Sequence, residues 1–337
     1  MGNVTSLQVA ERAGVSQSAV SRVFTPGASA SAKTIEKVRR AAAELGYRPN
    51  MMARAMITGK GRIIGLVVAY LDNQFYPVAV ERLSNALQEQ GYHVLVFTAS
   101  NSEGHVERVM QDLMDYQVDG IITASVGISS DLTERCNAAG IPVVMFNRGQ
   151  DGAGVSSVTS ANYDGGRKVA EYLLGCGHEN IAHISGWQGS STGRDRQLGF
   201  AERLAEAGIT PRVIDGKYDR DTAAAATVDL MDRRHAPDAI FVGNDHMAFA
   251  VMDTLRGELG LRIPQDVAVV GYDDVPLSAW PSFDLTTVRQ PVNRMVDATV
   301  NTLLQQIDDR AAPACRIEID GPLIVRGSTR SQKDKRP

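Results

Sequence analysis

Two groups of residues in this sequence have the types and spacing to do chemistry. Near the amino end, Gln17, Ser18, Ser21 and Arg22 cluster within two turns of a candidate helix. Gln can pair bidentately with adenine and Arg with guanine in a major groove, so these types suit base reading. Taken singly, each is equally a solvated helix face. The second group sits just after successive β-rich runs: Phe75, Ser125, Asn147-Arg148, Arg194 and Arg196, Tyr218, Asn244-Asp245 and Asp273-Asp274. Rings offer a flat apolar face, and Asn, Asp and Arg offer fork-like groups for paired hydroxyls. Together they suit a polyhydroxylated ligand. Ordinary loop polarity is the plainer reading, but the pattern recurs at strand end after strand end.

Catalytic patterns are poor by contrast. Gly59-Lys60-Gly61 with Gly65 has the wrong spacing for a dinucleotide loop and precedes its strand. His178 and His183 stand five apart, not the four of a zinc-protease helix, and Cys176-Gly177-His178 reads as a turn between helix and strand. Asp273-Asp274 could pair as acid and base, yet no nucleophile or oriented histidine accompanies it in the motif. The sequence is therefore read as a non-enzyme, with no catalytic residue, metal or cofactor.

The elements that must position the first group are short helices. Thr5 with Gln8 makes a capping-box pattern, and Leu7, Val9, Ala10 and Ala13 form an apolar face. Gly14 stops this helix. Ser16 caps a second helix with Ala19, Val20 and Val23 inward. Ser31 caps a third, with Ile35, Val38, Ala42 and Leu45 inward and Gly46 past its end. Two helices joined by a tight Gly turn and buttressed by a third predict a helix-turn-helix, whose second helix enters the major groove. Charge agrees. Residues 1–62 hold ten basic and three acidic side chains, a balance of +7, while the rest of the 337-residue chain balances to −11. A cationic head on an anionic body suits a polyanion-binding module. After Tyr47-Arg48-Pro49, Asn50 reads as the N-cap of a short segment, Met51 to Ile57, either a plain linker or a hinge that folds on DNA and presents Ala53 and Met56 to a minor groove.

From residue 62 the chain alternates β-rich runs with helix-length stretches. Strands are predicted at Ile63–Ala69, His93–Thr98, Gly120–Thr123 and Val143–Phe146, then at Ile181–Ser185, Val213–Gly216, Ala239–Val242 and Val267–Tyr272. Helices such as Val78–Gln90, Ala170–Gly175, Leu198–Ala207 and Met247–Leu255 lie between. Such alternation argues parallel sheets covered on both faces, with ligands at the carboxyl ends of strands. The chain suits about two domains of ordinary size. Its 43% hydrophobic and 22% charged residues exclude a disordered or collagenous chain. The longest apolar run, Ile63 to Leu71, is far short of a membrane span, and no signal peptide is legible. Three scattered cysteines make no disulfide framework, so a cytoplasmic location is expected.

Val4 through Ser16, Ala19-Val20-Ser21-Arg22-Val23, Ser31-Ala32-Lys33-Thr34 and Glu44 through Asn50 closely resemble the head of the lac-repressor (LacI/GalR) family of bacterial transcription regulators. The likeness runs to about residue 330. It implies that Gln17, Ser18 and Arg22 face bases and that Thr5, Ser16, Ser21 and Thr34 hold phosphates. Leu7, Tyr47, Asn50, Ala53 and Met56 complete the DNA-contacting set. Ala19 stands where the family commonly has Thr, Phe24-Thr25-Pro26 replaces Leu-Asn-Gly, and Met56 replaces the usual wedge leucine. In the body, Asn162 and Gly165-Gly166 match a family motif in which Ala161 replaces Asp; Arg196 lies in Arg-x-x-Gly-Phe, and Asn244-Asp245 and Gly271-Tyr272-Asp273-Asp274 match two more. Phe75, Ser125, Asn147, Arg196, Tyr218, Asn244 and Asp273 are the effector-contacting set.

The implied fold is a small all-α helix-turn-helix head plus a two-lobed, doubly wound α/β core of the type I periplasmic-binding-protein kind. Residues 1–48 would form the head, 49–61 the hinge helix and linker, 62–330 the core and 331–337 a tail. The N-lobe takes about 62–160 and 289–321, the C-lobe about 161–288 and 322–330. Crossovers are expected near Val155–Asn162, Leu285–Pro291 and Gly321–Arg326. The implied function is sequence-specific transcriptional regulation, as a repressor, with operator affinity controlled by a small metabolite, a sugar or sugar derivative, bound between the lobes. The implied partners are double-stranded DNA with a pseudo-palindromic operator, that effector and a second copy in a homodimer, without a membrane. The alternatives are a solute-binding protein of a transport system and a sugar-metabolising enzyme.

Overall fold

Three capped helices open the chain. In helix α1 (Ser6–Ala13) the Gln8 amide donates to Thr5 Oγ1 at 3.4 Å and the Thr5 amide donates back to Gln8 Oε1 at 2.9 Å, the reciprocal box the sequence predicts. Gly14 then turns the chain at φ +67°, a left-handed conformation that a side chain would resist. Helix α2 (Gln17–Val23) starts at Ser16, whose hydroxyl accepts from Ala19 N at 3.2 Å. Helix α3 (Ala32–Leu45) starts likewise at Ser31, which accepts from Thr34 N at 3.2 Å. Val9, Ala10, Val20, Val38, Ala41 and Ala42 form their shared core. Leu7 departs from expectation: it is 53% exposed, because Val9, Ala10 and the half-buried Ala13 already fill the inward face of α1.

The structure is a computed structural model and describes residues 4–25, 29–48, 61–99, 103–150, 154–232 and 235–330. Residues 1–61 and 62–337 are separate units. Asn50, Ala53 and Met56, with the predicted hinge, lie outside the described residues.

The second unit is built on two six-stranded sheets. The first holds β1 (Ile63–Val68), β2 (His93–Thr98), β3 (Gly120–Ala124), β4 (Val143–Phe146), β5 (Ser156–Ser160) and β11 (Arg316–Ile319), in spatial order β11-β5-β4-β3-β1-β2 and all parallel. The second holds β6 (Ile181–Ser185), β7 (Arg212–Asp215), β8 (Ala239–Val242), β9 (Ala268–Asp273), β10 (Thr286–Arg289) and β12 (Leu323–Ile324), ordered β12-β10-β9-β8-β6-β7. Only the β10–β12 pairing there is antiparallel. Central strands β3, β4, β8 and β9 are buried throughout, as a parallel sheet covered on both faces requires. The chain passes between sheets after β5, after β10 and between β11 and β12. The segments expected to be simple crossovers therefore carry strands of their own.

Helices α4 (Phe75–Glu89), α5 (Glu103–Asp115), α6 (Ser130–Ala138) and α11 (Val292–Asp308) accompany the first sheet. Helices α7 (Asn162–Gly175), α8 (Ser191–Ala205), α9 (Arg220–Met231) and α10 (Asp245–Asp253) accompany the second. Each helix predicted by periodicity begins earlier than expected, and α8 and α10 do so at polar caps, Ser190 and Asn244, that precede the apolar pattern. Helices α7 and α8 approach until side chains have no room. A Cβ on Gly166 would lie 2.2 Å from the Arg196 carbonyl oxygen, and one on Gly199 would lie 2.0 Å from that of Tyr163. This contact fixes the backbone from which Arg196 projects.

Candidate functional site

The carboxyl ends of the two sheets face one another across a cleft. Five strand ends, β1, β3, β4, β8 and β9, contribute Asn73, Ser125, Asn147, Asn244 and Asp273 to a single cavity, and Tyr218 joins them after β7. Backbone strain concentrates there. Ser125, Asn147, Tyr218 and Asp273 take φ of +65°, +58°, +59° and +124°, values that non-glycine residues avoid unless their surroundings enforce them. The chain thus turns sharply at the ends of β3, β4 and β9 and after β7, delivering these side chains to the cleft. The open space at the centre is about 30 Å³, suited to a few water molecules.

Arg196, only 3% exposed, anchors the C-lobe wall. Its Nε donates to Asn162 Oδ1 at 2.9 Å, its Nη1 donates to the Gly243 carbonyl at 2.7 Å, and its guanidinium carbon stands 3.6 Å from the Tyr272 ring centroid. Asp273 lies 3.6 Å from Nη1 and accepts from Gln290 Nε2 at 2.7 Å. From the other lobe, Asn73 Nδ2 reaches Asp273 Oδ2 at 3.4 Å. Burial pushes the Asp273 carboxyl up to about 6, and the Arg196 charge opposes that rise. Asp245, fully buried behind this wall, accepts from Val275 N, Ser278 Oγ and Thr287 Oγ1 at 3.0, 2.6 and 2.6 Å. Burial, reinforced by the nearby Asp273 charge, still pushes it up to about 8. Asn244 caps α10 by accepting from Met247 N at 2.9 Å. Tyr218 shares a 3.1 Å hydrogen bond with Thr192.

Of the seven cleft residues named from sequence, six line this cavity: Ser125, Asn147, Arg196, Tyr218, Asn244 and Asp273. Phe75 does not. It is 4% exposed and packs edge-on to Tyr76 at 5.4 Å and stacked on Phe146 at 6.2 Å, inside the N-lobe core. Its neighbour Tyr76 takes the wall instead, receiving a 3.3 Å hydrogen bond from Asn147 Nδ2, and burial raises its phenol. Asn73 and Tyr76, missed from sequence, lie one helical turn apart around the start of α4; beginning that helix at Phe75 would have placed both on one side.

In the head, Thr5, Leu7, Ser16, Gln17, Ser18, Ser21 and Arg22 are all exposed. Gln17 Nε2 donates to Ser6 Oγ at 2.9 Å, and the Ser16 and Ser18 hydroxyls lie 2.9 Å apart, so the start of α2 is held as one polar rim with α1. Thr34 is half-buried, its hydroxyl 2.8 Å from that of Ser31. Tyr47 is also half-buried, its ring 5.8 Å from Phe24 at the margin of the head core. Among the described residues no cluster of three His, Cys, Asp or Glu could hold a metal, and no helix is long and apolar enough to cross a membrane.

Comparison with known proteins adds to this geometry. Residues 7–50 match the model of bacterial regulatory proteins of the lacI family, and residues 170–329 match that of a periplasmic binding protein-like domain. The HTH-type transcriptional repressor PurR of Vibrio vulnificus is 30% identical, over 97% of this chain and 98% of its own. The crystal structure of the lac repressor dimer bound to operator and the anti-inducer ONPF is similar with a TM-score of 0.87 and 28% identity, covering 98% of this chain and 100% of that one. A complex of the transcriptional regulator CelR with cellobiose is similar with a TM-score of 0.72 and 32% identity, covering 97% and 100%.

Proposed function

Because the chain belongs to the lacI family of bacterial regulatory proteins, we propose that it is a repressor whose operator affinity is set by a sugar or sugar derivative held between its lobes. It acts in the cytoplasm as a symmetric homodimer, and two-fold symmetry demands inverted half-sites in the operator. The exposed rim of Thr5, Ser16, Gln17, Ser18, Ser21 and Arg22 supports the DNA half of this reading. Gln17 and Arg22 suit base edges, and the hydroxyls suit phosphates. The hinge contacts of Asn50, Ala53 and Met56, with Leu7, Thr34 and Tyr47 beside the rim, belong to the same proposal.

One observation carries the effector half. Buried Asp273 ends β9, buried Arg196 on α8 stands 3.6 Å from it, and Asn73 of the opposite lobe closes onto Asp273. A polyhydroxylated ligand would substitute its hydroxyls for that interlobe bond and bias the angle between lobes. Ser125, Asn147, Tyr218 and Asn244 would complete its hydrogen bonds. A similar protein, CelR, is known with cellobiose bound. The coupling between ligand and DNA is reciprocal and typically ~1–3 kcal/mol. A transport protein would have no use for the helix-turn-helix, and an enzyme would need a constellation that neither cleft wall offers.

Mobility shifts on promoter fragments upstream of its own gene test the reading, with sugars added in parallel. A specific Kd on the order of 10⁻⁸–10⁻¹¹ M is expected. Binding no tighter to those fragments than to random DNA would discard the regulator, and operator binding that no sugar or sugar derivative alters would discard the effector class.

A further inference from the structure

Beyond the central cavity, the cleft opens into an outer chamber of about 290 Å³ between the lobes. Its only charged lining residues are Arg148 and Arg194, and no Asp or Glu of the described residues lines it. Arg148 lines both chambers and forms the partition between them. It is 6% exposed, yet among the described residues no carboxylate and no hydrogen-bond acceptor pairs with its guanidinium. Its neighbours are the Trp187 ring of the opposite lobe, 5.5 Å away at the centroid, and Gly127, where a Cβ would sit 3.9 Å from Nη1. The aromatic face offsets part of the desolvation of a guanidinium but supplies no counter-charge. Arg196, by contrast, has Asp273. A buried charge without a partner is costly, and the simplest completion of this site is an anion.

Two helix starts strengthen that reading. Ser129, the N-cap of α6, and Ser191, the first residue of α8, both line the chamber, one from each lobe. The Ser191 hydroxyl accepts from Gly149 N at 2.9 Å, tying the segment after β4 to the start of α8. Helix N-termini present partial positive charge, and here they add to the Arg148 guanidinium. Gln150 also lines the chamber, and its buried side-chain oxygen has no donor among the described residues. That acceptor calls for a hydroxyl as well as a charge.

From these placements we infer that the effector is an acidic carbohydrate, with its hydroxylated ring in the central cavity and a carboxylate or phosphate in the outer chamber against Arg148. This rests on the proposed effector cleft and narrows its ligand class. Arg148 is the specificity-determining residue, Trp187 supports its guanidinium, and the anion bridges the lobes by joining a cation of one to the helix start of the other. A neutral sugar would leave the cation uncompensated.

Calorimetry on the full-length protein with matched pairs tests this: glucose against gluconate, glucuronate and glucose 6-phosphate, and cellobiose against cellobionate. At least one acidic member should bind about tenfold or more tightly than its neutral parent, as a charge-assisted bidentate contact allows. The carboxylate and phosphate arms separate the two sources of charge. Arg148→Gln should erase the preference, and Arg148→Lys should keep part of it. Neutral parents that bind as well as or better than every acidic partner overturn the inference, and so does an acid preference that survives Arg148→Gln. If neutral sugars bind and alter operator affinity, the effector cleft stands while the acidic class falls. If no member binds, the acidic carbohydrate is overturned directly.

Discussion

Arg196 and Asp273 were legible in the sequence because each lies in a motif, Arg-x-x-Gly-Phe on α8 and Gly-Tyr-Asp-Asp at the end of β9. Phe75, named only because it follows the first strand, stands one residue from the wall that Tyr76 takes. Where a helix begins decides which of two adjacent rings faces a cleft, and caps are harder to read than cores. For Arg196, whose guanidinium ties Asn162, Gly243 and Asp273 together, Arg196→Ala should abolish the ligand response. Operator affinity without ligand should persist, since the head folds around its own core. Undiminished ligand binding by that variant in a calorimetric titration would remove the cleft from the central cavity. Asp245 permits a pH prediction. Its carboxyl stands near 8 in the folded protein against about 3.9 in an unfolded chain, so between those values the folded state holds a proton that the unfolded state has released. Unfolding therefore releases a proton in that window, and this group's contribution to stability falls as pH rises from about 4 to about 8. Asp273, raised to about 6, acts with the same sign over a narrower window. Thermal midpoints of Asp245→Asn should decline less between pH 5 and pH 8 than those of the parent. Parallel curves would show that Asp245 is ionised throughout.

At the scale of elements, the head was read almost completely because its signals are local. Thr5, Gly14, Ser16, Ser31 and Gly46 mark helix ends by conformation and capping, and the structure uses each in that way. Replacing Ser16 by Ala removes the acceptor for Ala19 N at the start of α2 and should cost ~1 kcal/mol of head stability. A midpoint for the head transition within error of the parent would mean that solvent satisfies the amide equally well. The strands in the crossovers escaped notice for the opposite reason. β5 reads Ser-Ser-Val-Thr-Ser and is buried along its length, so its place is set by pairing to β4 and β11 instead of by hydropathy. The early start of α7 shares that cause, since Asn162, Gly165 and Gly166 are buried without being apolar, the glycines for want of space. Gly166→Ala would drive a methyl against the Arg196 carbonyl, and overpacking of that kind costs ~1–3 kcal/mol. Because the displaced backbone carries Arg196, ligand affinity should fall together with the melting temperature. A variant that melts lower yet binds ligand as before would uncouple the helix contact from the cleft.

For the whole molecule, charge separates the labour of the two units. The first unit, residues 1–61, carries +6 and the second −10, so attraction to DNA must originate in the head while the body contributes long-range repulsion. Displaced counterions then govern operator affinity, and a dimer that neutralises 6–10 phosphates should lose ~10³–10⁵-fold between 50 and 200 mM salt. Effector binding in a closed cleft has no such reservoir of counterions, and its salt dependence should be far weaker. That contrast allows the linkage to be measured without confusion between the two sites. At fixed salt, the factor by which a saturating effector changes operator affinity must equal the factor by which operator DNA changes effector affinity. The interlobe bond from Asn73 to Asp273 is the element both ligands would bias, so Asn73→Ala should shrink both factors together. Fluorescence anisotropy for DNA and calorimetry for effector, run on the same preparation at two salt concentrations, check every arm of the cycle. Unequal changes in the two factors for Asn73→Ala would point to a second effector site, and unchanged factors would move the coupling element away from this interlobe contact.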